Sequence, residues 1–258
     1  TKPILVGAVA SFLLLVGAGQ AIGGAPDAMP TNAPEDLTQK TWQSQENEVQ
    51  ASEKGTGQNG AQPSPPAQPA KHSDEDWKLL LVNPWNPLPD GYSVTLTQLK
   101  NGHSVDERCY PELQAMMDDC RTAGLSPLIC SSYRTQKKQE SLFQNQVNKL
   151  IAQGFSQDEA RNEAGKSIAV PGTSEHQLGL AVDIVDVNNQ NLDESQETTP
   201  VQRWLMENSW KYGFILRYPQ DKSEITGIIF EPWHYRYVGK DAAKEILEQG
   251  ICLEEYLN

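Results

Sequence analysis

The hydrophobic positions of the C-terminal two thirds of the chain have the spacing of helices in several places. Four apolar residues between Leu113 and Cys120 recur every three or four positions, which predicts a helix over residues 110–123 that Gly124 ends. Ser156 and Glu159 have the spacing of a capping box at a helix start. The same type of pattern predicts further helices over residues 134–154, 156–165, 200–212 and 241–249.

Short apolar runs bounded by Gly or Pro predict strands between these helices. The run LLLVNPWNPLP, residues 79–89, predicts an entry strand followed by a loop with several prolines. Further strands are predicted over residues 125–131, 179–187, 214–217 and 227–230. Because helices and strands are mixed without regular alternation, we expect an α+β fold with a small, mainly antiparallel sheet flanked by helices.

The first 76 residues have a different pattern. Residues 4–19 form an uncharged apolar run after Lys2, which indicates that residues 1–22 are a signal peptide or a membrane anchor. Residues 23–76 are rich in Pro, Gly, Gln and acidic residues and are predicted to be a disordered linker. We therefore expect one folded domain over residues 77–258, tethered by about 50 flexible residues with a root-mean-square span of roughly 40 Å.

The chain is acidic, with a formal net charge of -13 over 258 residues. Nearly half of this charge lies in the predicted linker, which contains nine acidic residues and three lysines. Nucleic acids and anionic lipids require a basic surface, so neither is expected as the main partner. We expect a monomer whose contact with the membrane is made by the N-terminal segment alone.

All four cysteines lie in the predicted domain, at Cys109, Cys120, Cys130 and Cys252. An even number favours disulfides outside the cytoplasm, with three possible pairings. No two of them have the close spacing of a zinc–thiolate site, which disfavours that alternative. Buried free thiols are the remaining possibility.

Polar residues interrupt apolar runs at two places, and these residues are the candidates for chemistry. The first place contains His176 and Asp183, and the second contains Glu231 and His234. Two imidazoles and one carboxylate are a common catalytic zinc set, which leaves a fourth position for water. An ionisable Asp inside the run LAVDIV is costly to bury unless it is paired or binds a metal.

The spacing of these residues restricts the geometry. His176 and Asp183 are seven residues apart, so a regular strand would place them on opposite faces. His176 must therefore lie on the loop that enters the strand, or a bulge at Gly179 must change the alternation. Glu231 and His234 are three apart, so a tight turn can direct both into one cavity, with Glu231 as general base.

These motifs resemble those of the LAS metallopeptidases, which include VanY-type D-alanyl-D-alanine carboxypeptidases and related L,D-carboxypeptidases. The resemblance lies in Ser174-x-His176 followed by Asp183, and in Glu231-x-x-His234. Ser132-x-Arg134 with the later Gln139 also matches, and the similarity extends over residues 80–258.

The resemblance implies one zinc ion per domain, held by His176, Asp183 and His234. It implies that Glu231 is the catalytic base and that Arg134 contacts the substrate and stabilises the oxyanion. The further substrate-binding residues that we expect are Ser132, Gln139, Ser174, Trp233 and Tyr235. The two aromatic residues flank His234 in the sequence, and the alternative for them is a place in the core.

The function implied is removal of the C-terminal D-alanine from peptidoglycan stem peptides, outside the cytoplasm. Alternatives of the same chemistry are an L,D-carboxypeptidase acting on tetrapeptide stems and a D,D-endopeptidase that cuts cross-links. A wall-binding module with a degenerate zinc site is a non-enzymatic alternative. It is disfavoured because every residue of the catalytic set is present.

Overall fold

The computed structural model describes residues 77–258. The predicted signal or anchor segment, residues 1–22, and the predicted linker, residues 23–76, lie outside this range. Among the helices within it, none has the length and apolar character needed to span a membrane.

The predicted helices are present, with ends close to those expected. Helix α1 has Pro111 in its first turn and buries the four apolar residues from Leu113 to Cys120 that predicted it. The capping box of Ser156 and Glu159 is confirmed at the start of α3. The helices are α1 Tyr110–Thr122, α2 Gln136–Ala152, α3 Gln157–Ala164, α4 Pro200–Asn208, α5 Ser223–Thr226, α6 Lys240–Gln249 and α7 Leu253–Tyr256.

Six short strands form two antiparallel sheets, which confirms the predicted α+β class. A hairpin pairs β1 with β2, and the larger sheet has the strand order β3-β4-β6-β5 with every neighbour antiparallel. The strands are β1 Leu96–Gln98, β2 Ser104–Asp106, β3 Pro127–Ser131, β4 Ala181–Asp186, β5 Phe214–Leu216 and β6 His234–Tyr237.

Strand β4 lies between β3 and β6, and all six of its residues are buried. Val182 and Ile184 belong to the main hydrophobic core, together with apolar residues of α1 and α4. Because side chains alternate along a strand, Asp183 must point to the opposite face. The core thus occupies one face of the sheet at this point and leaves the other for the polar residues of the site.

Two predicted strands are not strands in the structure. Residues 79–89 contain the end of a one-turn 3-10 helix and an isolated bridge between Asn83 and Asn86, because their three prolines have no N–H for a ladder. Residues 227–230 follow the single turn of α5, where Gly227 has a φ of 78°. The β1–β2 hairpin was not predicted, since three-residue strands are too short for a clear alternation.

The four cysteines are free thiols in the structure. Cys109, Cys120 and Cys252 are buried, and Cys130 is half-buried. The disulfide prediction is therefore wrong, and the alternative of buried free thiols describes this domain.

Candidate active site

His176 is placed by a 3-10 turn, Glu175–Leu178, that precedes β4. Gly179 ends this turn with a φ of 78°, which redirects the chain into the strand. His176 therefore lies on the entering segment, the first of the two arrangements that its spacing allowed. Its Nδ1 contacts the carbonyl oxygen of Ser132 at 2.8 Å, so its Nε2 faces Asp183 Oδ2 at 3.3 Å.

Asp183 and His234 are brought together by the register of the sheet. They are directly opposite each other on the antiparallel strands β4 and β6, so their side chains share a face. His234 Nδ1 lies 3.1 Å from Asp183 Oδ1. Including His176, the three buried side chains each offer a ligand atom, and these atoms lie within 4.8 Å of one another.

This donor set fits a zinc ion, which prefers imidazole nitrogen and carboxylate oxygen ligands. Burial, with help from the Arg134 charge, lowers the pKa of His176 to about 4, so its ring is neutral, as a ligand must be. Burial would also lower the pKa of His234, but the nearby carboxylates of Asp183 and Glu175 raise it to about 9. The site thus favours positive charge between its carboxylates, which a divalent cation supplies.

Glu231 lies beside the three candidate ligands, in the segment that leads into β6. Its Oε2 is 3.6 Å from His234 Nδ1, and its backbone N–H donates to the Tyr218 carbonyl oxygen. Burial raises the pKa of the Glu231 carboxyl to about 8, and the negative charge of Asp183 adds to the rise. A carboxylate with a high proton affinity at this position is suited to general base catalysis.

Arg134 lies in the segment between β3 and α2, with its guanidinium held from several sides. Its Nη2 donates to Asp183 Oδ2 at 2.8 Å, and Nε and Nη2 both donate to the Ser131 hydroxyl. Its Nη1 donates to Gln139 Oε1 at 3.4 Å. The guanidinium is therefore fixed next to the candidate metal site and lines the same cavity.

A cavity of about 280 Å³ contains the three candidate ligands, Glu231 and Arg134 in its wall. Ser174 and Trp233 also line it, as predicted from the sequence. The apolar part of the wall includes Ile228, Ile229 and Leu192. A cavity whose wall combines several convergent polar groups with apolar residues is typical of a site for a small ligand.

Three predicted substrate-binding residues lie outside this wall. Gln139 is fully buried behind Arg134, and its Nε2 donates to the Ala169 carbonyl oxygen at 2.7 Å. The Ser132 hydroxyl accepts from the Ser104 N–H, while its carbonyl oxygen contacts His176. Both residues thus support a functional side chain from behind.

Tyr235 differs from the prediction that it walls the cleft. Its ring is completely buried in the main core, and its hydroxyl donates to Gln202 Oε1 at 2.9 Å. Because His234 faces the cleft, the next residue of the strand must face the core. Trp233, which precedes the strand, does reach the cavity.

Glu175, which the sequence reasoning missed, is buried in contact with the site. Its Oε1 accepts from Arg217 Nε at 2.7 Å and from Arg236 Nη1 at 2.8 Å, and its Oε2 lies 3.5 Å from His234 Nε2. Burial would raise the pKa of this carboxyl, but the two arginines hold it well below its usual range. The available signal was an acidic residue next to a candidate ligand in a segment with few other charges.

Comparisons with known proteins identify a family for this chain. The model of the family described as VanY, D-alanyl-D-alanine carboxypeptidase, matches residues 102–240. A D-alanyl-D-alanine carboxypeptidase of Enterococcus faecalis (strain ATCC 700802 / V583) is 51% identical over 186 residues, which cover 72% of this chain and 67% of that protein.

Two solved structures are similar over most of the described residues. One is a mutant of the vancomycin resistance D,D-pentapeptidase VanY from a VanB-type cassette, in complex with Zn(II). It has a TM-score of 0.65 and 50% identity, and the match covers 70% of this chain and 99% of that one. The other is the LD-carboxypeptidase LdcB, with a TM-score of 0.61 and 34% identity over 71% of this chain and 87% of that one.

Proposed function

The chain belongs to the VanY family of D-alanyl-D-alanine carboxypeptidases, and from that premise we propose how its residues remove the C-terminal D-alanine from peptidoglycan stem peptides. The enzyme is zinc-dependent, and the zinc ligands are His176, Asp183 and His234. The observation that carries this proposal is the meeting of these three side chains with Glu231 at the wall of one cavity.

The reaction is hydrolysis of the terminal peptide bond. A zinc ion in a site with an open position acts as a Lewis acid and makes water a strong nucleophile near neutral pH. Glu231 takes a proton from the attacking water and passes it to the nitrogen of the leaving D-alanine. A new C–O bond forms as the C–N bond breaks, and the products are free D-alanine and a stem peptide shorter by one residue.

Arg134 stabilises the negative charge that develops on the scissile carbonyl oxygen. Ser131 and Gln139 hold its guanidinium in place before the substrate binds, so little reorganisation is needed during the reaction. Ser174 and Trp233 contact the peptide in the cleft. Ser132 and Gln139 act on the substrate indirectly, through His176 and Arg134 respectively.

Selectivity for the D,D bond is the first expectation, because the relative with 51% identity bears the name of a D-alanyl-D-alanine carboxypeptidase. The second candidate is L,D-carboxypeptidase activity on tetrapeptide stems, supported by the similarity to LdcB. D,D-endopeptidase activity is a further alternative of the same chemistry. We also propose that the enzyme acts as a monomer, and one chain supplies the three candidate ligands, Glu231 and Arg134.

The substrate places the enzyme outside the cytoplasm, since stem peptides are part of the cell wall. Residues 1–22 are proposed to hold it at the membrane, with residues 23–76 as the tether. This part of the proposal rests on the apolar run and the composition of the sequence.

Mass spectrometry of stem peptides incubated with the purified, zinc-loaded protein tests the proposed activity. The expected result is loss of one D-alanine from a pentapeptide that ends in D-Ala-D-Ala, with a tetrapeptide stem left intact. Cleavage of the tetrapeptide alone would replace the proposal with L,D activity, and cleavage of a cross-linked dimer alone would indicate an endopeptidase. If zinc binds but none of the three substrates is cut, the wall-binding alternative is favoured.

A further inference from the structure

Each candidate histidine ligand has a second ring nitrogen that points away from the cleft. For His176 this atom is Nδ1, which contacts the Ser132 carbonyl oxygen. For His234 it is Nε2, which faces Glu175 Oε2 at 3.5 Å. His234 Nε2 and Glu175 Oε2 face each other. Among the fully buried side-chain nitrogen and oxygen atoms of residues 77–258, these two atoms are the ones with no hydrogen-bond partner.

We propose that Glu175 is a positioning residue that accepts a hydrogen bond from His234 Nε2 and thereby directs His234 Nδ1 toward the zinc ion. This inference rests on the proposed zinc site. Only one nitrogen of a neutral imidazole carries a proton, so a proton held on Nε2 leaves the lone pair of Nδ1 free to bind the metal. Such outer partners fix both the tautomer and the orientation of a ligand histidine.

Glu175 is well suited to this task because its other oxygen is immobilised. Arg217 and Arg236 both donate to Oε1, and both arginines are completely buried. Arg236 also donates through Nη2 to the carbonyl oxygens of Lys78 and Leu80. With Oε1 occupied by two donors, the orientation of the carboxylate is set, and Oε2 is left for His234.

The cluster connects the metal site to both ends of the described domain. Arg217 makes two further hydrogen bonds to Glu254 in α7, and Glu254 accepts one from Asn83. A buried ion network is often no more stabilising than packed apolar side chains. Its contact with a ligand histidine therefore indicates a role in ordering the site in addition to any role in folding.

The chain offers a matched pair of variants, Glu175→Gln and Glu254→Gln. Each variant replaces one of the two carboxylates that pair with Arg217 by a neutral amide. Unlike Glu175, Glu254 has no contact with His234. At position 175 an amide cannot satisfy both sides. If its oxygen faces the arginines, its NH₂ faces Nε2 and favours the tautomer with the proton on Nδ1, which cannot bind zinc there. If its oxygen faces Nε2, its NH₂ opposes the two arginines.

Zinc affinity measured by competition with a chelator distinguishes the two positions. We expect Glu175→Gln to weaken zinc binding about 10- to 100-fold, the range typical for loss of an outer partner. Glu254→Gln should leave the zinc affinity within about threefold, although it lowers the thermal stability of the metal-free protein. Equal zinc affinities in the two variants, whether both weakened or both unchanged, would overturn the inference.

A measurement on the unmodified protein decides the matter even if Glu175→Gln does not fold. The ¹⁵N shifts of the His234 ring in the zinc-loaded enzyme show which nitrogen carries the proton. We expect a proton on Nε2 and metal on Nδ1, and the reverse assignment would refute the role of Glu175. Stem-peptide hydrolysis by the unmodified protein is measured in parallel, so a failure of the proposed activity is seen separately.

Discussion

Gly179 joins the turn that carries His176 to the strand that carries Asp183, and Gly179→Ala is predicted to destabilise the domain. Its φ of 78° costs an alanine about 1–2 kcal/mol. A Cβ there would lie 3.2 Å from the backbone nitrogen of Asp106 and 3.4 Å from Leu96 Cδ2. The Asp106 N–H donates to the Gly179 carbonyl oxygen at 2.9 Å, so β2 cannot move away without weakening a bond worth about 0.5–1.5 kcal/mol.

Together these effects predict a loss of about 1.5–3.5 kcal/mol in the free energy of unfolding. For a domain of this size, that loss lowers the melting temperature by about 3 to 14 °C. Thermal unfolding followed by circular dichroism measures it. Because His176 lies on the same turn, we also expect weaker zinc binding, measured by chelator competition.

Gly124→Ala is the matched control, since Gly124 has a φ of 81° but nothing within 4 Å of an added Cβ. It should show only the conformational cost of about 1–2 kcal/mol. If Gly179→Ala is no more destabilising than Gly124→Ala, the contact with β2 does not limit the structure and the reasoning fails.

Three further predictions concern the catalytic groups and the metal. Glu231→Gln should lower kcat about 10²- to 10⁴-fold, the usual contribution of a general base, while metal analysis still finds one zinc per chain. Arg134→Lys keeps the positive charge but removes the planar guanidinium that Ser131 and Gln139 hold in place. Because the oxyanion then loses an oriented donor, kcat for stem peptides should fall about 10²- to 10³-fold. When the free zinc concentration is about 100 times the dissociation constant, bound zinc should add about 2.7 kcal/mol to the free energy of unfolding. Removal of the zinc should therefore lower the melting temperature by about 5 to 11 °C.

Each of these predictions has a control. Glu231→Gln removes a group that is costly to bury as a charge, so the melting temperature of the metal-free protein should not fall. A large decrease would show that lost activity reflects lost folding. Arg121→Lys, at an exposed arginine of α1, should leave kcat unchanged. A melting temperature that does not respond to zinc removal would contradict the assigned ligand set.

The three candidate zinc ligands could be singled out from the sequence because each is a polar residue at an interruption of an apolar run. Tyr235 could have been assigned correctly as well, since alternation along β6 places it opposite His234. The place of Glu175 beside a candidate ligand was visible in the sequence, but its proposed role was not, because that role depends on two arginines that lie 42 and 61 residues later in the chain. Only the folded sheet brings those charges to one buried carboxylate.

The fold class followed from long helical patterns, whereas the short elements did not. Residues 79–89 had the apolar composition of a strand, but their prolines prevent regular pairing. The β1–β2 hairpin is held by contacts with distant segments, such as the bond from the Ser104 N–H to the Ser132 hydroxyl. Such contacts leave no local pattern in the sequence.

The strand order β3-β4-β6-β5 has a consequence for a chain that is still being synthesised. β5 is made before β6, yet β6 is its neighbour in the sheet and also the neighbour of β4. At about 5–20 residues per second, the stretch from Leu216 to Tyr237 takes about 1 to 4 s to emerge. During that interval the nascent polypeptide has two unpaired edges, and the strand that closes both begins with His234.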